Sequence, residues 1–176
     1  VGSGGLGFTD RLNVAALPVR TADMWGFVES QETTTVSPAM YGEFIFPYHR
    51  RIAERFGLNC YGCCEPFEPR WSFVRQLPRL RRVSCSPWSD RRKAGELLGR
   101  QYISSIKLSP TPLASARMDE DEVRQQLRQA LSGARGCVPE LIMKDNHTLG
   151  GNPTNAARWV ELARQEIARA GRRSHA

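Results

Sequence analysis

No stretch of about 18 consecutive apolar residues, the length a membrane-spanning helix needs, occurs anywhere in the 176 residues. The first residues, VGSGGLGF, offer neither a basic segment nor an apolar one and do not read as a secretory signal. Cysteine is limited to five residues, an odd number, and three of them lie too close together for a disulfide framework. These features lead us to expect a soluble, cytoplasmic protein with thiol or metal chemistry open to it. A second Cys-x-x-Cys pair, which a structural zinc site would want, is missing. So is a Gly-x-Gly-x-x-Gly turn after any strand-like segment, and with it the fingerprint of a dinucleotide fold.

With 40% hydrophobic and 24% charged residues, the composition suits one globular domain over residues 1–176, with 1–22 as an N-terminal loop segment. The net charge is +7. Much of the surplus sits in 66–100, which holds Arg70, Arg75, Arg79, Arg81, Arg82, Arg91, Arg92, Lys93 and Arg100 against Glu68, Asp90 and Glu96. These residues alternate with core positions and not with stacking aromatics, which argues against nucleic acid and for a solvated surface.

The pattern along the chain is strand then helix, repeated. Residues 23–30 read as a strand. Ser37 and Pro38 open a helix on which Met40, Tyr41, Phe44, Ile45, Tyr48, Ile52 and Phe56 recur at helical spacing, with a break expected at Pro47. The short segment 57–62 and a helix from Pro69 to Leu77 follow. Three more units come after: a strand at 80–85 with a helix carrying Ala94, Leu97 and Leu98; a strand at 102–107 with a helix from Asp119 to Ala134; and a strand at 138–144 with a helix from Thr154 to Ala170 burying Ala156, Val160, Ala163 and Ile167. Five such units imply a parallel α/β sheet, either doubly wound or part of a (β/α)8 barrel. The distinctive residues collect where strands end: Glu29 and Gln31, the 60–65 cluster, Ser86 and Trp88, Lys107, and Asp145, Asn146 and His147. Such a collection suits the active face of a barrel.

The cluster 58-LNCYGCCEP-66 places Cys60, Cys63 and Cys64 within five positions. Three readings stay open. With His147 from another strand end, Cys60 and Cys63 or Cys64 have workable zinc spacing. A redox pair would want a helix N-terminus, and here Glu65 and Pro66 intervene. Small buried thiols packing as hydrophobes are the third. Cys85 and Cys137 read as core residues, and His49 and His175 as having no functional role.

The stretch 25-WGFVESQETTTVSPAMYGEFIFPYHRRIAERFGLNCYGCCEP-66, with 84-SCSPWSD-90, 107-KLSPTP-112 and 144-KDNHTLGGNPTNAARWVELAR-164, resembles the uroporphyrinogen decarboxylase-like superfamily, in its branch related to corrinoid-dependent methyltransferases. The resemblance covers nearly the whole chain and implies the C-terminal part of a TIM (β/α)8 barrel. It further implies metal-assisted methyl transfer from a methylcorrinoid, carried by a partner protein, to a thiol. Zinc would sit on Cys60, Cys63, Cys64 and His147, with Glu29, Gln31 and Lys107 shaping the substrate mouth and Trp88, Asp145 and Asn146 on the cofactor side. In the methyltransferases the first zinc motif is His-x-Cys, and here no histidine stands at the matching strand end. The same superfamily implies, as an alternative, a decarboxylase or lyase in which Lys107 and His147 handle a carboxylate. A non-enzymatic module binding an acidic partner through 66–100 is the remaining option. Since five units fill about five-eighths of such a barrel, the expectation is a homo-oligomer or a fragment of a longer chain.

Overall fold

The computed structural model describes residues 20–144 and 146–173. Most of the expected N-terminal loop segment, and His175, lie outside those residues. Five strands, β1 (Trp25–Val28), β2 (Leu58–Tyr61), β3 (Leu80–Cys85), β4 (Ile103–Leu108) and β5 (Val138–Met143), form one parallel sheet in the order β1-β2-β3-β4-β5. Between them run α1 (Pro38–Phe44), α2 (Phe46–Ala53), the single turn α3 (Trp71–Val74), α4 (Arg91–Leu98) and α5 (Glu120–Gly133), and α6 (Thr154–Arg173) follows β5. The strand order never reverses, so right-handed crossovers place the helices that connect strands on the same side of the sheet, and α6 packs beside α5. A doubly wound sheet needs a reversal to cover both faces. This fold is therefore consistent with a partial α/β barrel.

Local chemistry sets the boundaries. The Ser37 hydroxyl accepts from Met40 N at 3.2 Å and Pro38 fills the first helical position. The expected break falls at Ile45, where Pro47 begins a new first turn because it has no N–H to offer the preceding one. Asp90 and Asp119 cap α4 and α5 by accepting from two backbone N–H groups each. Where one helix was expected from Pro69 to Leu77, the chain instead forms a 3-10 turn at Glu68–Arg70 followed by α3, which ends at Val74.

Strand residues alternate between the two faces. Tyr61, Val83, Cys85, Ile106 and Leu108 belong to the core together with Tyr41, Phe67, Leu98, Leu127 and Trp159. Cys85 is core as expected, whereas Cys137 is only half-buried.

Two helical faces differ from the sequence reading. Met40, Phe44, Tyr48 and Ile52 are exposed, while Tyr41, Phe46 and Ala53 face inward. This segment is apolar on two adjacent faces, and periodicity alone does not say which one the sheet takes. On α6 the buried stripe is Asn155, Trp159, Leu162, Ala163 and Glu166, leaving Val160 and Ile167 exposed. Counting apolar residues misses this stripe because Asn155 and Glu166 are part of it. Asn155 Nδ2 donates to the carbonyls of Leu113, Ser115 and Leu149.

Glu166 joins α6 to α5. Its carboxylate accepts from Arg124 at 2.9 Å, from Arg128 at 2.9 and 3.1 Å and from Arg169 at 2.9 Å. The Arg128 bonds foremost, with those from Arg124, hold its pKa down to about 2 from an ordinary 4.5. A depressed carboxyl stabilises the fold above its unfolded pKa and loses that contribution as pH falls through the folded value. Arg128 and Arg169 are about half exposed, so water screens the cluster and about 1–2 kcal/mol remains. The melting temperature of Glu166→Gln should therefore lie about 3–6 °C below wild type at pH 7. The gap should close between pH 4.5 and 2; a gap independent of pH would show that the carboxylate charge is not what the arginines hold.

Candidate functional site

The loop after β2 sits where β1, β2 and β4 end. Gly62, at φ +90°, turns the chain out of the strand. Glu65 then accepts from Cys63 N at 2.9 Å and, across the loops, from Ser30 N at 2.8 Å. Its carboxylate is buried and consumed in holding the β1–α1 and β2–α3 loops together. Arg70 locks the same two loops from behind, donating to the carbonyls of Ser30, Thr33 and Val36, with its guanidinium 4.7 Å from the centre of the Tyr41 ring.

Held this way, Cys63 meets three neighbours: Lys107, Ser84 and Cys64. Lys107, projecting from β4, places Nζ 2.6 Å from the Cys63 carbonyl and 3.7 Å from its sulfur. Ser84 donates to the same carbonyl at 3.0 Å. The sulfurs of Cys63 and Cys64 are 3.6 Å apart. Desolvation foremost, and then the bond to Cys64, raise the Cys63 thiol to about 11 against the opposing pull of Lys107. At neutral pH it is a thiol, not a thiolate. Glu29 accepts from Gln31 N at 3.1 Å, so these two residues close on each other at the rim of the same mouth.

Beneath the mouth, on the sheet face away from the helices, lies a buried polar layer that the sequence reading missed. Arg82 of β3 donates through Nε to Glu140 of β5 at 2.5 Å, through Nη1 to Cys60 Sγ at 3.1 Å and through Nη2 to Ser105 Oγ at 2.7 Å. Burial pushes the Cys60 thiol up, with Arg82 opposing. The available signal was charge of opposite sign inside two strand patterns, Arg81 and Arg82 in LRRVSC and Glu140 in VPELIM. Arg82 thus departs from the solvated basic surface expected of 66–100. Arg70 is likewise buried, Arg79 donates to the carbonyls of Phe56 and Glu54, and Arg81 donates to that of Gln101.

Of the expected site residues, the structure brings together Cys63, Cys64 and Lys107, with Glu29 and Gln31 at the rim. Cys60 is held against Arg82 one layer below. Asn146 and His147 are exposed on the β5–α6 loop, and Trp88 stands 76% exposed on the β3–α4 loop. Asp145 lies outside the described residues. His49, set aside from sequence, bonds through Nδ1 with the Tyr41 hydroxyl at 3.1 Å, and burial lowers its pKa. Among the described residues no three of His, Cys, Asp or Glu are placed to hold a metal ion. None of the described helices is long and apolar enough to cross a membrane.

Comparison with protein-family models gives no match, and comparison with curated proteins gives none either.

Proposed function

We propose that the chain is the C-terminal part of a (β/α)8 barrel of the uroporphyrinogen decarboxylase type, and that it acts on a small carboxylated substrate at the carboxyl ends of its strands. Lys107 carries this reading. Its ammonium has three donors, and Cys63 engages it through its carbonyl and its sulfur, fixing the cation at the mouth with donor capacity left for a substrate carboxylate. Decarboxylation breaks a carbon–carbon bond, releases CO2 and leaves an electron pair on carbon that takes up a proton. Lys107 is the group at the mouth able to bind the departing carboxylate or to supply that proton. The remaining barrel units, or a second copy of the chain, would pack against the exposed Met40, Phe44, Tyr48 and Ile52 and the open edges of β1 and β5.

Methyl transfer to a thiol through zinc, with a corrinoid donor, is the second reading, favoured by the Cys63–Cys64 pair. The donor set fits it poorly. A catalytic zinc wants three protein ligands, Cys60 is held by Arg82, and among the described residues neither His147 nor any other ligand completes a group of three with the thiols. The acidic-partner reading is weakened because Arg70, Arg79, Arg81 and Arg82 are committed to carbonyls or to the polar layer.

Titration calorimetry with succinate and glutarate tests the carboxylate reading. Lys107→Met should weaken binding about tenfold or more, the worth of a charge-assisted hydrogen bond, and chelators should leave binding unchanged. Equal binding by wild type and variant would remove Lys107 from the role, and chelator-sensitive binding would move the chemistry to a metal.

A further inference from the structure

Neighbouring residues in a chain seldom present their side chains to one another, yet the loop after β2 sets the sulfurs of Cys63 and Cys64 3.6 Å apart. That is far longer than the roughly 2.05 Å of a disulfide bond, and the two are not joined in one. It is close to the spacing imposed by a single bridging centre. Two thiolates on one tetrahedral ion, with metal–sulfur bonds near 2.3 Å, lie about 3.8 Å apart. Both residues are half-exposed at the mouth, so a small molecule can reach them.

What the pair lacks is the rest of a metal shell. Among the described residues no third His, Cys, Asp or Glu completes a metal-holding group, and the Lys107 ammonium, 3.7 Å from the Cys63 sulfur, opposes an incoming dication. A neutral thiophilic centre that brings its own remaining substituent meets neither obstacle. We propose that Cys63 and Cys64 form a two-thiol site that captures a trivalent organoarsenical, of the class R–As(OH)2. Two As–S bonds form and two As–OH bonds break. The thiol protons leave with the hydroxyl groups as two waters, and arsenic remains trivalent throughout. The site stands on the geometry of one loop and does not depend on which reaction the barrel performs.

The test uses the whole chain and phenylarsine oxide. Intact-mass analysis should show one equivalent bound. Peptide mapping after alkylation should show Cys63 and Cys64 protected together, with the reactivity of Cys137 unchanged. Cys63→Ser and Cys64→Ser should each weaken retention about a hundredfold, because the second thiol acts at high effective concentration once the first is attached. Cys60→Ser and Cys137→Ser should retain wild-type affinity. Protection mapping on the wild-type protein decides the matter even if a variant misfolds. Protection of only one of the two thiols, or unweakened binding by Cys64→Ser, would overturn the site. So would stoichiometric zinc that displaces the arsenical and is lost in Cys60→Ser, since the thiols would then belong to a larger metal centre.

Discussion

Replacing Arg82 by Met is expected to destabilise the protein by about 3–5 kcal/mol, the range for removing one partner of a buried ion pair. The side chains of Arg82 and Glu140 are only 7% and 16% exposed. In the native sheet one guanidinium serves the Glu140 carboxylate, the Cys60 sulfur and the Ser105 hydroxyl through three different nitrogens. Without it the Glu140 carboxylate loses the guanidinium it is paired with, and two further polar groups lose their donor. The loss is therefore set by groups left unsatisfied, not by the energy of the bonds themselves. A second variant separates these terms. Arg82→Met combined with Glu140→Leu replaces the pair by apolar groups and should recover most of the stability. Denaturant melts of both variants check this; a single variant costing under about 1 kcal/mol would mean that water reaches the layer freely.

That layer also marks where sequence reading stops. The five strands, the cap at Ser37 and the helix start at Asp119 were legible because strand patterns, prolines and capping residues act locally. The collection of unusual residues at strand ends was legible for the same reason, since it follows from where each strand stops. The polar face beneath was not, because Arg82 and Glu140 are 58 residues apart in sequence and only the register of β3, β4 and β5 makes them partners. Glu65 stands in the sequence beside three cysteines like a spare ligand, yet its two acceptor oxygens hold backbone N–H groups of two loops. Composition reveals a carboxylate, and the fold decides what it faces. The buried side of α6 escapes sequence reading on similar grounds, since Glu166 is buried only by virtue of arginines on α5 and on its own next turn.

The second large effect concerns Gly150. Its φ is +61°, and a Cβ there would sit 2.2 Å from the backbone carbon of Ser115 and 2.5 Å from Ala116 N. Backbone cannot move aside as a side-chain tip can. Gly150→Ala should cost about 2–5 kcal/mol, combining a left-handed penalty of about 1–2 kcal/mol with overpacking of about 1–3 kcal/mol. Gly151 provides the control: its φ is +76° and nothing lies within 4 Å of its Cβ position. Gly151→Ala should therefore show the conformational penalty alone, about 1–2 kcal/mol. Equal melting temperatures for the two variants would show that the β5–α6 loop does not press on residues 115–116. The bonds from Asn152 to the Ala116 carbonyl and from Asn155 to the Ser115 carbonyl run between the same segments, so the displacement in Gly150→Ala should also reach the start of α6.

The unreversed strand order has a consequence for synthesis. Each strand pairs with the one made before it, so no strand waits for a distant later segment to supply its neighbour. Partners are separated only by the helices and loops between them, and because closure cost grows slowly with loop length it stays similar from unit to unit. A chain leaving the ribosome can therefore add β2 to β1, then β3 to β2, and so on through β5, each new strand capping the edge exposed by the last. The sheet grows in the direction of translation, and while each next strand is being made the edge of the strand last added is the surface most in need of a chaperone.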